Sequence, residues 1–178
     1  MESMRRRKSW YSLAKTLAEQ AFWDWAAQHP NIRCATICPG MVLGPVMTES
    51  QARHTPRRYL EWLNGSVSTI PQRATVPCDV RDVARLHILA ATVPAAAGQR
   101  YAVVTQSDEP ITLDQMRAAL VRAGAVQLAD LPLGEGPFER GVDLWDCSKA
   151  ANLLEGFTPL DDTMAAMYKS FKSLGLAK

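Results

Sequence analysis

The chain has 178 residues, of which 47% are hydrophobic and 21% are charged, and its formal net charge is +2. These values are typical of a globular protein with its own core, and so small a net charge argues against nucleic acid as a partner. No apolar run is long enough to span a membrane, and no secretory leader follows the first methionine. We therefore expect a protein of the cytoplasm or an organelle matrix.

The first predicted element is a helix over residues 10–28. Its apolar side chains form one broad arc on a helical wheel, with Tyr11 and Lys15 at the edge of the arc. The members of the arc are Trp10, Leu13, Ala14, Leu17, Ala18, Ala21 and Trp25. The β-branched run at 32–38 predicts a buried strand, and the prolines and glycines at 39–45 predict a loop.

The rest of the chain alternates between helices and strands. The pattern predicts a polar loop at 46–56, a helix ending on Gly65, a strand and helix over 75–93, a strand at 100–105, a helix over 112–124, a surface excursion at 125–143, and helices at 147–154 and 161–174. This alternation is typical of the α/β class. Only two or three strands are credible, so the sequence predicts part of a larger sheet.

The cysteines and histidines show no metal-ligand spacing. There is no C-x-x-C pair, and the four cysteines do not cluster with the three histidines. We therefore expect no metal site and reduced cysteines. Cys34 and Cys38 lie in the apolar run and are expected to be small buried hydrophobic side chains.

Tyr11 and Lys15 are four residues apart, so a helix places them side by side. A lysine ammonium beside a tyrosine favours the phenolate, and such a pair can pass a proton to the alkoxide that forms at a carbonyl carbon. The same spacing also fits a half-buried aromatic residue next to an exposed lysine. Because Y-x-x-x-K recurs by chance, the pair by itself favours the second interpretation.

Five segments in one order resemble the extended short-chain dehydrogenase/reductase family, and within it the cinnamoyl-CoA reductase and dihydroflavonol reductase group. They are WYSLAKTLAEQAFWDWA, ICPGMVLGP, VRDVARLHILA, GQRYAVV and DCSKAANLLEGFTPLDDT. The resemblance runs from about residue 9 to the C-terminus and covers only the second half of that family's chain. It implies a partial Rossmann-like α/β fold that lacks the N-terminal glycine-rich βαβ half and keeps the small C-terminal substrate domain.

The resemblance also implies a role for each matching residue. Tyr11 is then the proton donor, and Lys15 holds the nicotinamide ribose of NADP(H). A loop at the carboxyl end of a strand contacts the nicotinamide, through Pro39, Gly40, Met41 and Val42. Ligands of open α/β sheets bind at such a position, although a proline and a glycine can also simply end a strand.

Two domains follow from the resemblance. Residues 1–45 are the remnant of the dinucleotide-binding domain, and residues 46–178 are one unit of substrate-domain segments with a returning strand and helices. The family's glycine-rich cradle is not found, because GEGPFERG at 134–141 lacks the G-x-G-x-x-G spacing. The serine or threonine that precedes the family's tyrosine by some tens of residues is not found either.

The sequence thus implies an NADP-dependent reductase of a small carbonyl or acyl-CoA substrate, present as its C-terminal half. The alternative is a catalytically inactive remnant that serves as an accessory subunit, with a protein partner covering the missing half. A basic cluster of Arg53, Arg57 and Arg58 either meets the phosphates of a CoA-like substrate or forms a solvated face. Asp82 is expected to cap or charge its helix, and His87 to pack.

Overall fold

The computed structural model describes residues 10–105, 109–139 and 145–177. In that part of the chain, helices α1 to α7 are Trp10–Ala27, Glu49–Ala52, Arg57–Leu63, Val80–Thr92, Leu113–Arg122, Ser148–Leu154 and Leu160–Ser173. Strands β1 to β7 are Thr36–Pro39, Met41–Leu43, Thr69–Thr75, Pro77–Asp79, Arg100–Val103, Ile111–Thr112 and Leu133–Glu139. The predicted α/β class is confirmed.

Two short parallel strand pairs lie next to each other. β1 pairs with β5, with Thr36 opposite Arg100, and β2 pairs with β4, with Met41 opposite Pro77. The Thr105 N–H, just beyond β5, donates to the Pro77 carbonyl at 2.7 Å. This bond links the two pairs, which we call together the parallel sheet.

A second, mixed sheet contains the remaining strands. Its order is β6-β3-β7, with β6 antiparallel and β7 parallel to the central β3. The expectation of two or three strands is therefore wrong. The predicted surface excursion at 125–143 contains β7, which is mostly exposed, and its residues 140–143 lie outside the described part of the chain. These strands have two to seven residues, and each finds its partner far along the chain, so local periodicity does not predict them.

Two loops predicted near residue 40 are wrong in part. The segment at 39–45 contains β2, and the polar segment at 46–56 contains the one-turn helix α2. Thr48 and Gln51 form a reciprocal capping box at the start of α2. The polar composition of the segment obscured this helix signal in the sequence. The capping box of α5, with Thr112 and Gln115, is confirmed.

The buried side chains form two clusters. The larger lies between α3, α5, α7 and the mixed sheet, and its largest members are Tyr59, Trp62 and Phe171. The smaller packs α4 and α6 against one face of the parallel sheet, through residues such as Leu86 and Val103. The parallel sheet is therefore covered on that face by a proper core.

Asp79, and not Asp82, is the N-cap of helix α4. The Asp79 carboxylate accepts a hydrogen bond from the Arg81 N–H at 2.8 Å and caps the helix. Asp82 lies in the first turn and is buried, where it accepts hydrogen bonds from the backbone N–H and the hydroxyl of Thr158 at 2.7 and 2.9 Å. Asp82 thus ties α4 to the segment between α6 and α7, a structural role but a different one from a cap.

Two expectations about packing are wrong. His87 lies on the exposed face of α4, with Nδ1 2.7 Å from the Val83 carbonyl oxygen of its own helix. Cys34 and Cys38 are half-exposed, because the parallel sheet has few strands and covers its own edge poorly. Within the described residues no helix is long and apolar enough to cross a membrane, and no three potential metal ligands cluster.

Candidate active site

Tyr11 and Lys15 lie in the first two turns of α1, both exposed. The exposed fraction of Tyr11 is 78%, and no residue of α1 is buried. Because α1 leads into β1 through the short connection 28–35, helix and strand run in opposite directions. Tyr11 and Lys15 therefore lie toward the carboxyl end of β1, where the loop with Pro39 and Gly40 follows.

A polar cluster fastens α1 to the sheet. The Glu19 carboxylate accepts hydrogen bonds from the Thr36 hydroxyl at 3.0 Å and the Cys38 thiol at 3.5 Å, both on β1. It also accepts bonds from Nε and Nη2 of Arg100, on β5, at 2.9 and 3.3 Å. One carboxylate thus joins the helix that carries Tyr11 and Lys15 to two adjacent strands.

The surroundings of Glu19 stabilise its ionised form. Partial burial opposes its ionisation, but the hydrogen bonds from Arg100, Thr36 and Cys38 outweigh burial and hold the pKa of the carboxyl below its usual value. The bond to Glu19 correspondingly raises the pKa of Arg100, and burial raises the pKa of the Cys38 thiol. The cluster is therefore a persistent ion pair, and not a reactive cysteine site.

We expect Glu19→Ala to loosen α1 selectively. The variant removes an ion pair and two further hydrogen bonds from a helix with no buried residue, and should lower the free energy of unfolding by about 1–3 kcal/mol. Hydrogen exchange of the amides in 10–27 measures the local effect, and urea denaturation measures the global one.

The matched control is Glu61→Ala, which removes the exposed pair of Glu61 with Arg57 at 2.7 Å on another helix. That pair should contribute only about 0.2–0.5 kcal/mol. Equal losses in the two variants, or unchanged exchange in 10–27, would contradict the anchoring role of Glu19.

The same carboxylate makes the attachment of α1 acid-sensitive. Because the folded pKa of Glu19 is depressed, its contribution is complete above the unfolded value near 4.5 and is lost as pH falls through the lower folded pKa. We expect constant protection of 10–27 between about pH 7 and pH 5, and a decline below about pH 4. Glu19→Gln should remove this part of the acid dependence when exchange is corrected for its intrinsic rate.

The loop after β1 is closely integrated with the sheet. The Gly40 N–H donates to the Val103 carbonyl at 3.0 Å, and the Met41 N–H donates to the Val76 carbonyl at 2.7 Å. Pro39 is exposed and has no N–H, whereas Val42 belongs to the β2 ladder and packs on the smaller core cluster. The exposed part of this loop is therefore Pro39.

Close packing around position 40 requires a glycine there. A Cβ at this position would overlap the Val76 carbonyl oxygen and approach Cγ2 of Val104 to 3.2 Å. Since the Val76 carbonyl already accepts the Met41 N–H, the backbone there has no room to move away. The structure thus supplies a packing role for Gly40 that exists with or without a ligand.

The three arginines of the basic cluster have different surroundings. Arg53 lies 3.6 Å from Glu49, and Arg57 lies 2.7 Å from Glu61, so both have carboxylate partners. Arg58 forms no ion pair within the described residues. Arg57 and Arg58 line an open cleft of about 510 Å³, whose other lining residues are Met41, His54, Thr55 and Glu61.

An apolar cavity adjoins this cleft. Its volume is about 250 Å³, and it shares His54 and Thr55 with the cleft. Val42, Pro45 and Val80 are among its lining residues. An apolar chamber beside a cationic cleft suits a ligand with an apolar body and an anionic group.

Sequence reasoning missed two parts of this region. Glu19 and Arg100 are separated by 81 positions, and only the α1–β1–β5 packing makes them a pair. His54 gave no signal because it lies in a polar segment without periodicity, although it borders both cavities.

The chain is similar to known proteins in both sequence and fold. No protein-family model matches the chain. The chain is 33% identical to cinnamoyl-CoA reductase 2 of Arabidopsis thaliana over 99 residues, 56% of this chain and 29% of that protein. It is 29% identical to cinnamoyl-CoA reductase CAD2 of Medicago truncatula over 165 residues, 92% of this chain and 48% of that protein. The chain thus spans less than half the length of these relatives.

The solved structures agree on the fold. Yeast methylglyoxal/isovaleraldehyde reductase Gre2, complexed with NADPH, matches 90% of this chain and 54% of its own, with a TM-score of 0.68 and 22% identity. UDP-glucose-4-epimerase from Stenotrophomonas maltophila, with bound NAD, matches 93% of this chain and 55% of its own, with a TM-score of 0.71 and 18% identity. The fold is that of part of a Rossmann-type extended short-chain dehydrogenase/reductase. In sequence the chain is a relative of the cinnamoyl-CoA reductases, which confirms the predicted resemblance.

Proposed function

We propose that the chain is the catalytic and substrate half of an NADP-dependent reductase that acts on a carbonyl or acyl-CoA compound. The observation that carries the proposal is the Tyr11–Lys15 pair, which is exposed on a helix that Glu19 fastens beside the carboxyl end of β1. The similarity to cinnamoyl-CoA reductases supports the choice of substrate class.

In this proposal Tyr11 donates the proton that the carbonyl oxygen needs as hydride arrives at carbon. Lys15 would hydrogen-bond the nicotinamide ribose, and its positive charge would stabilise the phenolate that is left after the proton transfer. NADPH supplies the hydride when bound. Pro39, Gly40, Met41 and Val42 would lie beside the nicotinamide.

The described residues fit only one end of the cofactor. Tyr11 and Lys15 are exposed and available to the nicotinamide ribose, but no glycine-rich turn in 10–105, 109–139 or 145–177 offers a pyrophosphate cradle. The segment GEGPFE lies in β7, in the mixed sheet. The pyrophosphate and adenosine sites therefore belong to a polypeptide segment outside this part of the chain.

Titration with NADPH tests the proposal. Binding is detected by the change in nicotinamide fluorescence and by the rise in the unfolding temperature. Because the described residues fit only one end of the cofactor, we expect weak binding, in the range of about 0.1–1 mM, that weakens further in Lys15→Ala. Lys169→Ala is the matched control, because it removes another exposed helix lysine far from β1. No fluorescence change and no stabilisation at millimolar NADPH would overturn the proposal.

The acyl-CoA part of the proposal rests on Arg58. Its guanidinium has no ion pair within the described residues and lines the cationic cleft, so phosphate is a suitable ligand. We expect Arg58→Ala to weaken binding of coenzyme A about tenfold in calorimetric titration. Arg53→Ala should have little effect, because Arg53 is paired with Glu49. Equal effects of the two variants would remove the support for a CoA-type substrate.

The second candidate is an accessory subunit without catalytic activity. It is favoured by one observation, the exposed apolar surface of α1, which suits a helix that is covered in an assembly. Failure to bind NADPH, together with a stable complex with another protein, would favour it over the reductase.

A further inference from the structure

A further cleft lies between helix α5 and the start of helix α7, and we call it the α5–α7 cleft. Its volume is about 420 Å³, and none of its lining residues lines the apolar cavity or the cationic cleft described above. The residue that follows β5, one side of α5 and the first turn of α7 all contribute to its wall. Among the lining residues are Thr105, Gln115, Arg122, Phe157, Leu160 and Asp161.

Thr105 brings a buried hydroxyl group to this cleft. Its exposed fraction is 8%, and its backbone N–H already donates to the Pro77 carbonyl at 2.7 Å. Among the residues that the structure describes, none forms a hydrogen bond with the Thr105 hydroxyl. Buried hydroxyl groups are normally hydrogen-bonded, because an unmade bond is costly away from water. An unpartnered hydroxyl in the wall of a cleft therefore points to a ligand that supplies the partner.

Two further kinds of hydrogen-bond donor line the same cleft. The side-chain oxygen of Gln115 accepts the Thr112 N–H at 2.7 Å in the capping box of α5, so the NH₂ group is the part of Gln115 left to donate. Helix α7 begins at Leu160 without a side-chain cap, and the first N–H groups of a helix have no partner within it. Leu160 and Asp161 both line the cleft. These donors together suit a ligand with acceptor oxygens.

Two carboxylates in the first turn of α7 already have cationic neighbours. Arg122 donates from Nε and Nη2 to the two carboxylate oxygens of Asp161, each at 2.7 Å, and this bond holds the pKa of Asp161 below its usual value. Asp162 lies near Arg81, whose pKa is raised chiefly by the hydrogen bond to Asp79 and also by the charge of Asp162. Both carboxylates are therefore balanced, and Arg122 is not free to hold a phosphate dianion.

The remaining features of the cleft set the class of ligand. The dipole of the 14-residue helix α7 favours one negative charge at its start. Phe157 and Leu160 are half-buried and give the cleft an apolar wall. An apolar wall with a few convergent donors is typical of a site for a small organic molecule.

We propose that the α5–α7 cleft binds a small carboxylate with an apolar body, for which benzoate is the simplest probe. The carboxylate accepts hydrogen bonds from the Thr105 hydroxyl, the Gln115 NH₂ group and the first N–H groups of α7. The apolar body lies on Phe157 and Leu160.

This site adjoins the strand that supports the candidate active site but is independent of it. Thr105 is two residues beyond Val103, whose carbonyl accepts the Gly40 N–H at 3.0 Å. The cleft contains neither Tyr11 nor Lys15 and no residue of the loop at Gly40. It therefore stands whether or not the chain is a reductase.

Titration of the 178-residue chain with sodium benzoate, followed by ¹H–¹⁵N NMR, tests the proposal. We expect saturable shifts of the Thr105, Leu160 and Asp161 amides with a Kd of about 1 mM, and the same shifts in Arg58→Ala, which removes the cationic cleft as a binding site. Inorganic phosphate and benzyl alcohol each lack one half of the ligand and should bind at least about tenfold more weakly. Equal binding of either compound, or no saturable shift at these amides, would overturn the proposal.

The most informative variant is Gln115→Glu. Glutamate keeps an oxygen for the Thr112 N–H, and so preserves the capping box, but it replaces the NH₂ donor by a negative charge. Benzoate affinity should fall more than about tenfold in Gln115→Glu, and about fivefold in Thr105→Val, which lacks the hydroxyl. The matched control is Thr92→Val, because the Thr92 hydroxyl donates to the Ile88 carbonyl at 2.8 Å on α4. Unchanged affinity in either folded cleft variant refutes the proposed site.

Discussion

Replacing Gly40 by alanine is expected to destabilise the protein by about 1–3 kcal/mol or more, although it adds one methyl group. The added Cβ would overlap the Val76 carbonyl oxygen, which is a backbone atom and already accepts the Met41 N–H. Relief requires β2 to move away from β4, so the cost falls on the parallel sheet. Urea denaturation at neutral pH measures the loss.

The matched control is Gly134→Ala in β7. A Cβ there meets Gln72 Cγ at 3.1 Å and Asp114 Oδ2 at 3.2 Å, the ends of side chains that can turn away. We expect a loss below about 0.5 kcal/mol. If both variants lose the same free energy, the close approach at Val76 is not the reason for a glycine at position 40.

Tyr11→Phe is expected to abolish reduction while leaving the fold intact. The variant removes only the hydroxyl that would donate the proton, and loss of a general acid slows a reaction about 10²–10⁴-fold. With 78% of Tyr11 exposed, the free energy of unfolding should change by less than about 0.5 kcal/mol. NADPH oxidation in the presence of carbonyl substrate is measured alongside urea denaturation.

Tyr168→Phe is the matched control, and we expect it to affect stability and not turnover. Its hydroxyl donates to the Ala125 carbonyl at 3.1 Å, far from the candidate site, so the variant should lose stability and keep its turnover number. Reduction by Tyr11→Phe at the unaltered rate would show that another group donates the proton.

The sequence predicted those parts of the candidate site whose residues lie close together along the chain. Tyr11 and Lys15 are one helical turn apart, and the loop at Gly40 directly follows an apolar run. The sequence did not predict how that helix is anchored, because Glu19 contacts Arg100 only when β1 and β5 are paired. The difference between Arg58 and its neighbours is local, because Arg53 and Arg57 each have a carboxylate partner four residues away along the chain.

The sequence by itself determined the long helices, the capping box at Thr112 and the α/β class, because each depends on periodicity or on neighbours within four residues. Only the tertiary structure decided the short strands, since β2, β3 and β7 are defined by partners far along the chain. It also decided the direction in which α1 presents its apolar arc. Periodicity identifies an apolar arc, but the half-buried side chains of α1 include Phe22 and Trp23, beside Glu19, whereas Leu17 and Trp25 stay exposed.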